Sequence, residues 1–239
     1  MAGRQAPGRT RGVELHRRVV AELGQHLATL PEPAGTVLEP VAIGARLGAS
    51  RTAVREALRV LQAKGMITAR PHVGTRVRAV GHWDLTDPDV IGWLAYGPHS
   101  ERVWRELFEL RIAVEPVAAR LAAAQPEGGS VLVEAAGRMR DAAARGDTEA
   151  YTGADTDFHQ ALLTGSGNRV FTQFTAGIVA MLRAQCELVL SVREVSQESV
   201  ALHSRVARAV ARGNAQAAER HTRLLLAGVA ERVLDTLRG

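Results

Sequence analysis

Four side chains in the second half of the sequence have the types and spacing of a metal site. Asp155 and His159 stand four residues apart in 155-DTDFH-159, which places both on one face of a helix. His203 and His221 follow on two later helical stretches, and in a helical bundle all four can converge. Three imidazoles and one carboxylate suit Zn²⁺ first, with Ni²⁺ or Mn²⁺ as alternatives. Each histidine taken singly is more often a surface or core residue, so spacing alone leaves their convergence open.

The elements that must position these side chains are predicted to be helices. From residue 101 onward the sequence shows helical patterns that break only at short segments rich in Gly, Asn or Pro. The predicted helices span 101–124, 129–145, 148–164, 168–192, 195–212 and 214–237. Their lengths and short connections predict an all-α antiparallel bundle of about six helices.

A second chemical feature is a row of arginines near the start of the chain. Arg51, Arg55 and Arg59 repeat every four residues along one predicted helix face. The neighbouring face is apolar and carries Val54, Ala57, Leu58 and Leu61. Ser50 is a suitable N-cap for this helix, and Gly65 is a suitable stop. On arginine spacing alone, a DNA-binding helix and an ordinary solvated basic helix are about equally supported.

The elements on either side of the basic helix favour DNA. Upstream, 41-VAIGARLGAS-50 predicts a short helix and a tight turn. Downstream, residues 66–70 and 75–80 alternate as strands do, and 71-PHVG-74 forms the turn between them. The order is that of a winged helix-turn-helix, in which the second helix enters the major groove and arginines reach phosphates and base edges.

Charge and composition agree with this division of the chain. Residues 1–80 hold 13 Lys and Arg against 5 Asp and Glu, whereas the remainder holds 17 against 20. A basic first third indicates that this part meets a polyanion. The single cysteine, Cys186, excludes an internal disulfide and suits a reducing compartment. With no apolar run of eighteen residues and no signal-peptide pattern, we expect a cytoplasmic protein that does not enter membranes.

The sequence therefore predicts a mainly α protein with two domains. Residues 1–11 are expected to form a flexible basic arm, and residues 12–80 a winged helix-turn-helix DNA-binding domain. Residues 81–100, with two tryptophans, are predicted to be a linker packed between the domains. Residues 101–239 are predicted to be the helical bundle that binds metal and effector.

Together these segments resemble the GntR-type transcription regulators of the FadR subfamily, whose ligand-binding domain is called FCD. The resemblance covers residues 12–237. Its motifs are 47-LGASRTAVREALRVLQAKGMI-67, 74-GTRV-77, 109-ELRIAVEPVAARLAA-123, 155-DTDFHQALL-163, 166-SGN-168, His203 and His221. The segment 83-WDLTDPDVIGWL-94 is similar to the linker of galactonate-operon repressors and related sugar-acid regulators.

The resemblance implies a homodimer that reads an inverted repeat in operator DNA. The residues implied to meet DNA are Ser50, Arg51, Thr52 and Arg55, with His72, Gly74 and Thr75 on the wing near the minor groove. Arg59, on the same basic helix face, is also predicted to contact DNA. Asp155, His159, His203 and His221 match the metal ligands of the family. Many members carry an acidic-basic pair where this chain has Pro40 and Val41, so an arginine that contacts DNA is absent there and a different operator preference is expected.

Arg111, in the E-L-R segment, matches a family arginine that lies near the effector pocket. Its simplest alternative role is a salt bridge to Glu109 or Glu115 on its own helix. An inward-facing Arg111 would favour the effector role, because a buried guanidinium needs an anion.

The expected function is a transcription regulator, a repressor, controlled by a small carboxylate such as a sugar acid bound at the metal centre and Arg111. One alternative is a purely structural metal with a signal of another chemical class. The other is a metal-dependent hydrolase, which is disfavoured because the sequence has no H-E-x-x-H and no evident general base.

Overall fold

A computed structural model describes residues 7–125, 128–190 and 194–238 of the chain. The chain divides after His99 into two compact units. The first helix begins at Pro7, so residues 7–11 of the predicted arm are helical, and the rest of that arm lies outside the described residues. None of the described helices is both long and apolar enough to cross a lipid bilayer.

The first unit is a winged helix-turn-helix followed by a short helix. Its elements are α1 (Pro7–Ala28), β1 (Val37–Leu38), α2 (Pro40–Leu47), α3 (Arg51–Ala63), β2 (Ile67–Arg70), β3 (Gly74–Val77) and α4 (Pro88–Leu94). Strand β3 lies in the middle of the sheet and pairs antiparallel with both β1 and β2. Strand β1 was not predicted, because two residues are too few to show an alternating pattern.

Helix α3 is amphipathic in the way that its sequence predicts. The Ser50 hydroxyl accepts a hydrogen bond from the Ala53 backbone N–H at 3.2 Å and caps the helix. The helix ends before Gly65, which adopts φ +74°, a conformation that favours glycine. Its apolar residues Val54, Ala57, Leu58 and Leu61 are buried. This packing holds the opposite face of α3 toward solvent.

The segment after the wing packs onto the first unit and is anchored by a lysine. The Lys64 ammonium lies 2.7 Å from Asp87 and 2.8 Å from Asp89, and its side chain is only 13% exposed. Asp87 also caps α4 by accepting hydrogen bonds from two backbone N–H groups. Trp93 of α4 is buried and packs over Gly24, where an added Cβ would lie 2.5 Å from the indole ring.

The second unit is a helical bundle. Its elements are α5 (Ser100–Ala122), α6 (Gly128–Arg145), α7 (Thr148–Gly165), α8 (Arg169–Gln173), α9 (Thr175–Leu190), α10 (Gln197–Ala211) and α11 (Ala215–Arg238). Helix α5 packs against α7 and α11, α7 against α6 and α9, and α10 against α6 and α11. Many of the buried positions are alanines, such as Ala119, Ala122 and Ala135, which allow the helices to approach closely.

One helix predicted from the sequence is two helices in the structure. The sequence predicts a single helix over 168–192, but α8 and α9 are separated at Phe174. The Phe174 N–H bonds the Phe171 carbonyl, a three-residue step that tightens the backbone there. Both phenylalanines pack against the apolar cluster around Val114 and Leu182, and this packing overrides the continuous helical pattern. The predicted end at residue 192 lies outside the described residues.

Candidate metal centre and DNA-binding face

Three of the four predicted metal ligands meet in the interior of the bundle. Asp155 and His159 project from α7, and His203 projects from α10. The Asp155 Oδ1 lies 3.1 Å from His203 Nε2 and 3.7 Å from His159 Nε2, and the two Nε2 atoms are 3.4 Å apart. Donor atoms that share one tetrahedral zinc ion lie roughly 3.3 Å apart. All three residues are buried, and in the described part of the chain they form the one such cluster able to hold a metal.

Hydrogen bonds at the Nδ1 atoms of His159 and His203 orient both Nε2 atoms toward Asp155. His159 Nδ1 lies 2.6 Å from Glu115 Oε2, and His203 Nδ1 lies 2.8 Å from the Ser199 carbonyl. In the neutral form of both imidazoles, the Nδ1–H groups donate to these acceptors, which leaves both Nε2 lone pairs directed at Asp155. Three acceptor atoms facing one another in a buried space repel unless a cation lies between them. The residues present thus fit a divalent metal.

Arg111 is buried beside the cluster and is already paired. Its Nε donates to Glu115 Oε1 at 2.5 Å, and its Nη1 donates to the Gln185 side-chain carbonyl at 3.2 Å. Its Nη2 is 3.3 Å from both ring nitrogens of His159, so the guanidinium lies over the imidazole face and not in its plane. Arg111 therefore faces the interior and forms the Glu115 salt bridge, and its contact with an effector stays a prediction.

Glu115, which the sequence indicated only as a possible salt-bridge partner of Arg111, also contacts the predicted ligand His159. Burial raises the pKa of the Glu115 carboxyl, but the adjacent Arg111 and His159 outweigh burial and lower this pKa to about 2. Burial likewise opposes ionisation of Asp155, yet the close contact with His203 and the nearby His159 and Arg111 leave its pKa lowered. The sequence contained one indication that Glu115 faces inward. Arg111 and Glu115 stand four residues apart, in line with Ala118 and Ala119 on the inward face of α5.

His221, the fourth predicted ligand, lies outside the cluster. On α11 the inward face is formed by Thr222, Leu225 and Leu226, and one residue of offset turns a side chain by about 100°. The pKa of His221 is lowered by burial and by the nearby arginines 220 and 205. Its Nδ1 is buried without a hydrogen-bond partner. The structure therefore corrects the predicted four-ligand set to three residues.

A cavity of about 40 Å³ opens beside the cluster. Besides the three ligands and Arg111, its polar lining includes Tyr151, Gln185, Glu194, Ser199 and Arg232. Burial raises the pKa of Tyr151, which stays a hydroxyl donor near neutral pH. A water molecule needs roughly 10–15 Å³ of such space, so the cavity has room for about three waters.

Cys186 lines the same cavity, so the reactivity of its thiol measures how accessible the cavity is to a small reagent. Burial, with a smaller contribution from Asp155, raises the pKa of the Cys186 thiol to about 12. Because the thiolate is the reactive form, iodoacetamide is expected to alkylate Cys186 at pH 8 at least about 100-fold more slowly in the folded protein than in urea. Mass spectrometry of quenched samples measures this ratio. Equal rates would show that the thiol is accessible.

The residues predicted to meet DNA lie on one exposed helix face and one hairpin tip. Arg51, Thr52 and Arg55 are exposed on α3, whereas the Arg59 guanidinium is bound to Glu56 at 2.7 Å. The Ser50 hydroxyl is engaged in the helix cap.

On the wing, His72 and Gly74 are exposed at the β2–β3 turn, and Thr75 is half-buried in β3. His72 has φ 61° and Gly74 has φ 86°, so the turn uses left-handed backbone at both positions. A solvent-exposed basic helix beside such a hairpin has the arrangement needed to contact a DNA groove and its flanking phosphates.

Each of the two units matches a known protein family. Residues 15–77 match the family of bacterial regulatory proteins, gntR family, and residues 106–228 match the FCD domain. An uncharacterized HTH-type transcriptional regulator of Escherichia coli, YieP, is 38% identical over 44% of this chain and 46% of its own. The galactonate operon transcriptional repressor of Escherichia coli is 29% identical over 71% of this chain and 75% of its own. The chain thus spans about half of the first relative and three quarters of the second.

Solved structures show the same fold. The structure of Lar, which controls expression of the Listeria monocytogenes agr system, superposes with a TM-score of 0.61 over 97% of this chain and 98% of its own, at 15% identity. The matched families are regulators, which confirms the prediction that the protein is not an enzyme. With a gntR-type first unit and an FCD match over more than half of its residues, the chain belongs to the gntR family of transcription regulators that carry an FCD domain.

Proposed function

We propose that the protein is a homodimeric repressor whose binding to operator DNA is controlled by a small carboxylate, a sugar acid, at the Asp155–His159–His203 centre. The observation that carries this proposal is the convergence of three buried side chains with metal-ligating atoms beside a cavity. The name of its relative, a galactonate operon repressor, supports both repression and a sugar acid.

Asp155, His159 and His203 would hold a divalent metal, Zn²⁺ first. When bound, the metal would supply a Lewis-acidic centre for a carboxylate oxygen. Arg111 lines the cavity, but its charge is already matched by Glu115, so it offers directed N–H donors and little net attraction. The Gln185 amide and the Tyr151 and Ser199 hydroxyls would hydrogen-bond the hydroxyl groups of a sugar acid.

The size of the cavity supports a change of conformation on binding. Sites for small organic ligands typically hold about 300 Å³ or more, whereas this cavity holds about 40 Å³. A sugar acid would therefore bind only a wider state and shift the population toward it. A dimer reads half-sites about 34 Å apart. If its two recognition helices move by a few ångströms, the contacts with one half-site are broken. A complete switch requires the ligand to prefer one state by about 5.5 kcal/mol.

The proposal predicts that His159→Ala loses the effector response and keeps operator binding. The zinc-loaded protein would first be screened by thermal unfolding against aldonic acids, lactate, and di- and tricarboxylates. A ligand at 100 times its dissociation constant adds about 2.7 kcal/mol of stability. Release of fluorescent operator DNA would then be titrated with the acid that stabilises the protein.

His221→Ala is the matched control, because His221 lies outside the cluster and its replacement is expected to leave the response unchanged. A wild-type dose-response in His159→Ala would contradict the proposal.

A structural metal is the second candidate, and the small cavity favours it. In that case zinc would stabilise the protein against unfolding, and no added acid would raise this stability further. The effector that controls DNA binding would then belong to another chemical class.

A further inference from the structure

The charges around the cavity nearly cancel. Among the described residues, the lining carries the buried pair Arg111 and Asp155, whose charges cancel. Nearer to solvent it carries the half-buried Arg232 and the exposed Glu194, whose charges also cancel. Glu115 does not line the cavity and is bound behind Arg111, fully buried, through contacts at 2.5 and 3.4 Å. Counting it leaves a formal charge of −1 before any metal is added.

A divalent metal changes this sign. Histidines that ligate a metal are neutral, so the ion raises the formal charge of the site from −1 to +1. An uncompensated charge in a buried site is unfavourable, and one carboxylate of the ligand removes it. A second carboxylate in the same cavity would leave the site at −1 with no cation to match it.

We infer that the site selects monocarboxylates over di- and tricarboxylates, and that Glu115 is the residue that sets this selection. The inference rests on the proposed function and narrows its ligand class. Glu115 acts through Arg111: it cancels the guanidinium charge without touching the ligand. Removal of the Glu115 charge would leave a metal-loaded site at +2, which suits a dicarboxylate.

The test compares acids that share a carbon skeleton and differ by one carboxylate. Zinc-loaded wild type and Glu115→Gln would be titrated by calorimetry with pairs such as propionate and malonate, and gluconate and glucarate. Wild type is expected to bind the monocarboxylate of a pair at least about tenfold more tightly. In Glu115→Gln, which keeps the shape of the side chain, the ratio is expected to move toward the dicarboxylate by at least about tenfold.

Three further measurements separate charge from damage to the fold. Glu109→Gln makes the same substitution at an exposed position of α5 and is expected to keep the wild-type ratio. The double variant Arg111→Gln/Glu115→Gln has the formal charge of wild type and is expected to restore the monocarboxylate preference. Without any acid, Glu115→Gln is expected to bind zinc about 10-fold to 100-fold more weakly in competition with a chromogenic chelator.

The outcomes distinguish this inference from the function on which it rests. Binding of acids with an equal ratio in wild type and Glu115→Gln, or a wild-type preference for dicarboxylates, overturns the charge selection and leaves the carboxylate-controlled repressor standing. Binding of no acid from any pair by zinc-loaded wild type overturns both.

Discussion

Glu115→Ala is expected to destabilise the second unit by about 3–5 kcal/mol, because it leaves a buried guanidinium without its counter-charge. Arg111 is 1% exposed and Glu115 is 0% exposed, so water cannot replace the lost carboxylate. Its remaining partners, the Gln185 carbonyl and the face of His159, provide no full negative charge. Urea unfolding of the metal-free protein, followed by circular dichroism, measures the loss.

The paired replacement Arg111→Met/Glu115→Leu is the control for this prediction. It removes both charges and fills a similar volume, a change that is often neutral for a buried ion pair. We expect it to cost far less stability than Glu115→Ala alone. A loss below about 1 kcal/mol in Glu115→Ala would mean that another group, such as Asp155, takes over the guanidinium.

Arg55→Ala is expected to weaken operator binding by about 1–3 kcal/mol at each half-site, the cost of one bidentate contact to a base. Arg55 is exposed on α3, one turn from the N-terminal end of the helix, where recognition helices meet base edges. Fluorescence anisotropy with operator DNA measures the loss, at one fixed salt concentration because phosphate contacts depend strongly on salt.

Arg59→Ala is the matched control on the same face. Arg59 lies one further turn along α3, and its guanidinium is bound to Glu56 at 2.7 Å. Its replacement is expected to cost clearly less operator affinity than Arg55→Ala. Equal losses in the two variants would indicate that α3 contributes general positive charge and no directed contact.

Local patterns in the sequence predicted the helices and the wing of the first unit because residues close together in the chain determine where each of them begins, ends and packs. The apolar spacing of Val54, Leu58 and Leu61 determines which side of α3 is buried, and Ser50 and Gly65 determine where the helix begins and stops. The Asp155 and His159 pair was predicted for the same reason, since residues four apart share a face on any helix.

The details that the sequence did not predict depend on contacts between distant elements. Whether His221 faces inward is decided by the rotation of α11 about its axis, which is set by the packing of Leu225 and Leu226. Glu115 became part of the site only because α5 and α7 bring it within 2.6 Å of His159. Spacing along one helix carries no information on such rotations.

Lys64 is the single lysine of the chain, and its half-buried side chain is paired with two aspartates. A protease that cleaves only after lysine therefore has one site in the entire sequence, at the end of the recognition helix. That bond can be cut only when the contacts with Asp87 and Asp89 open. Limited digestion with such an enzyme therefore measures the opening of the DNA-binding unit as the rate at which the full-length chain is converted into two fragments, 1–64 and 65–239.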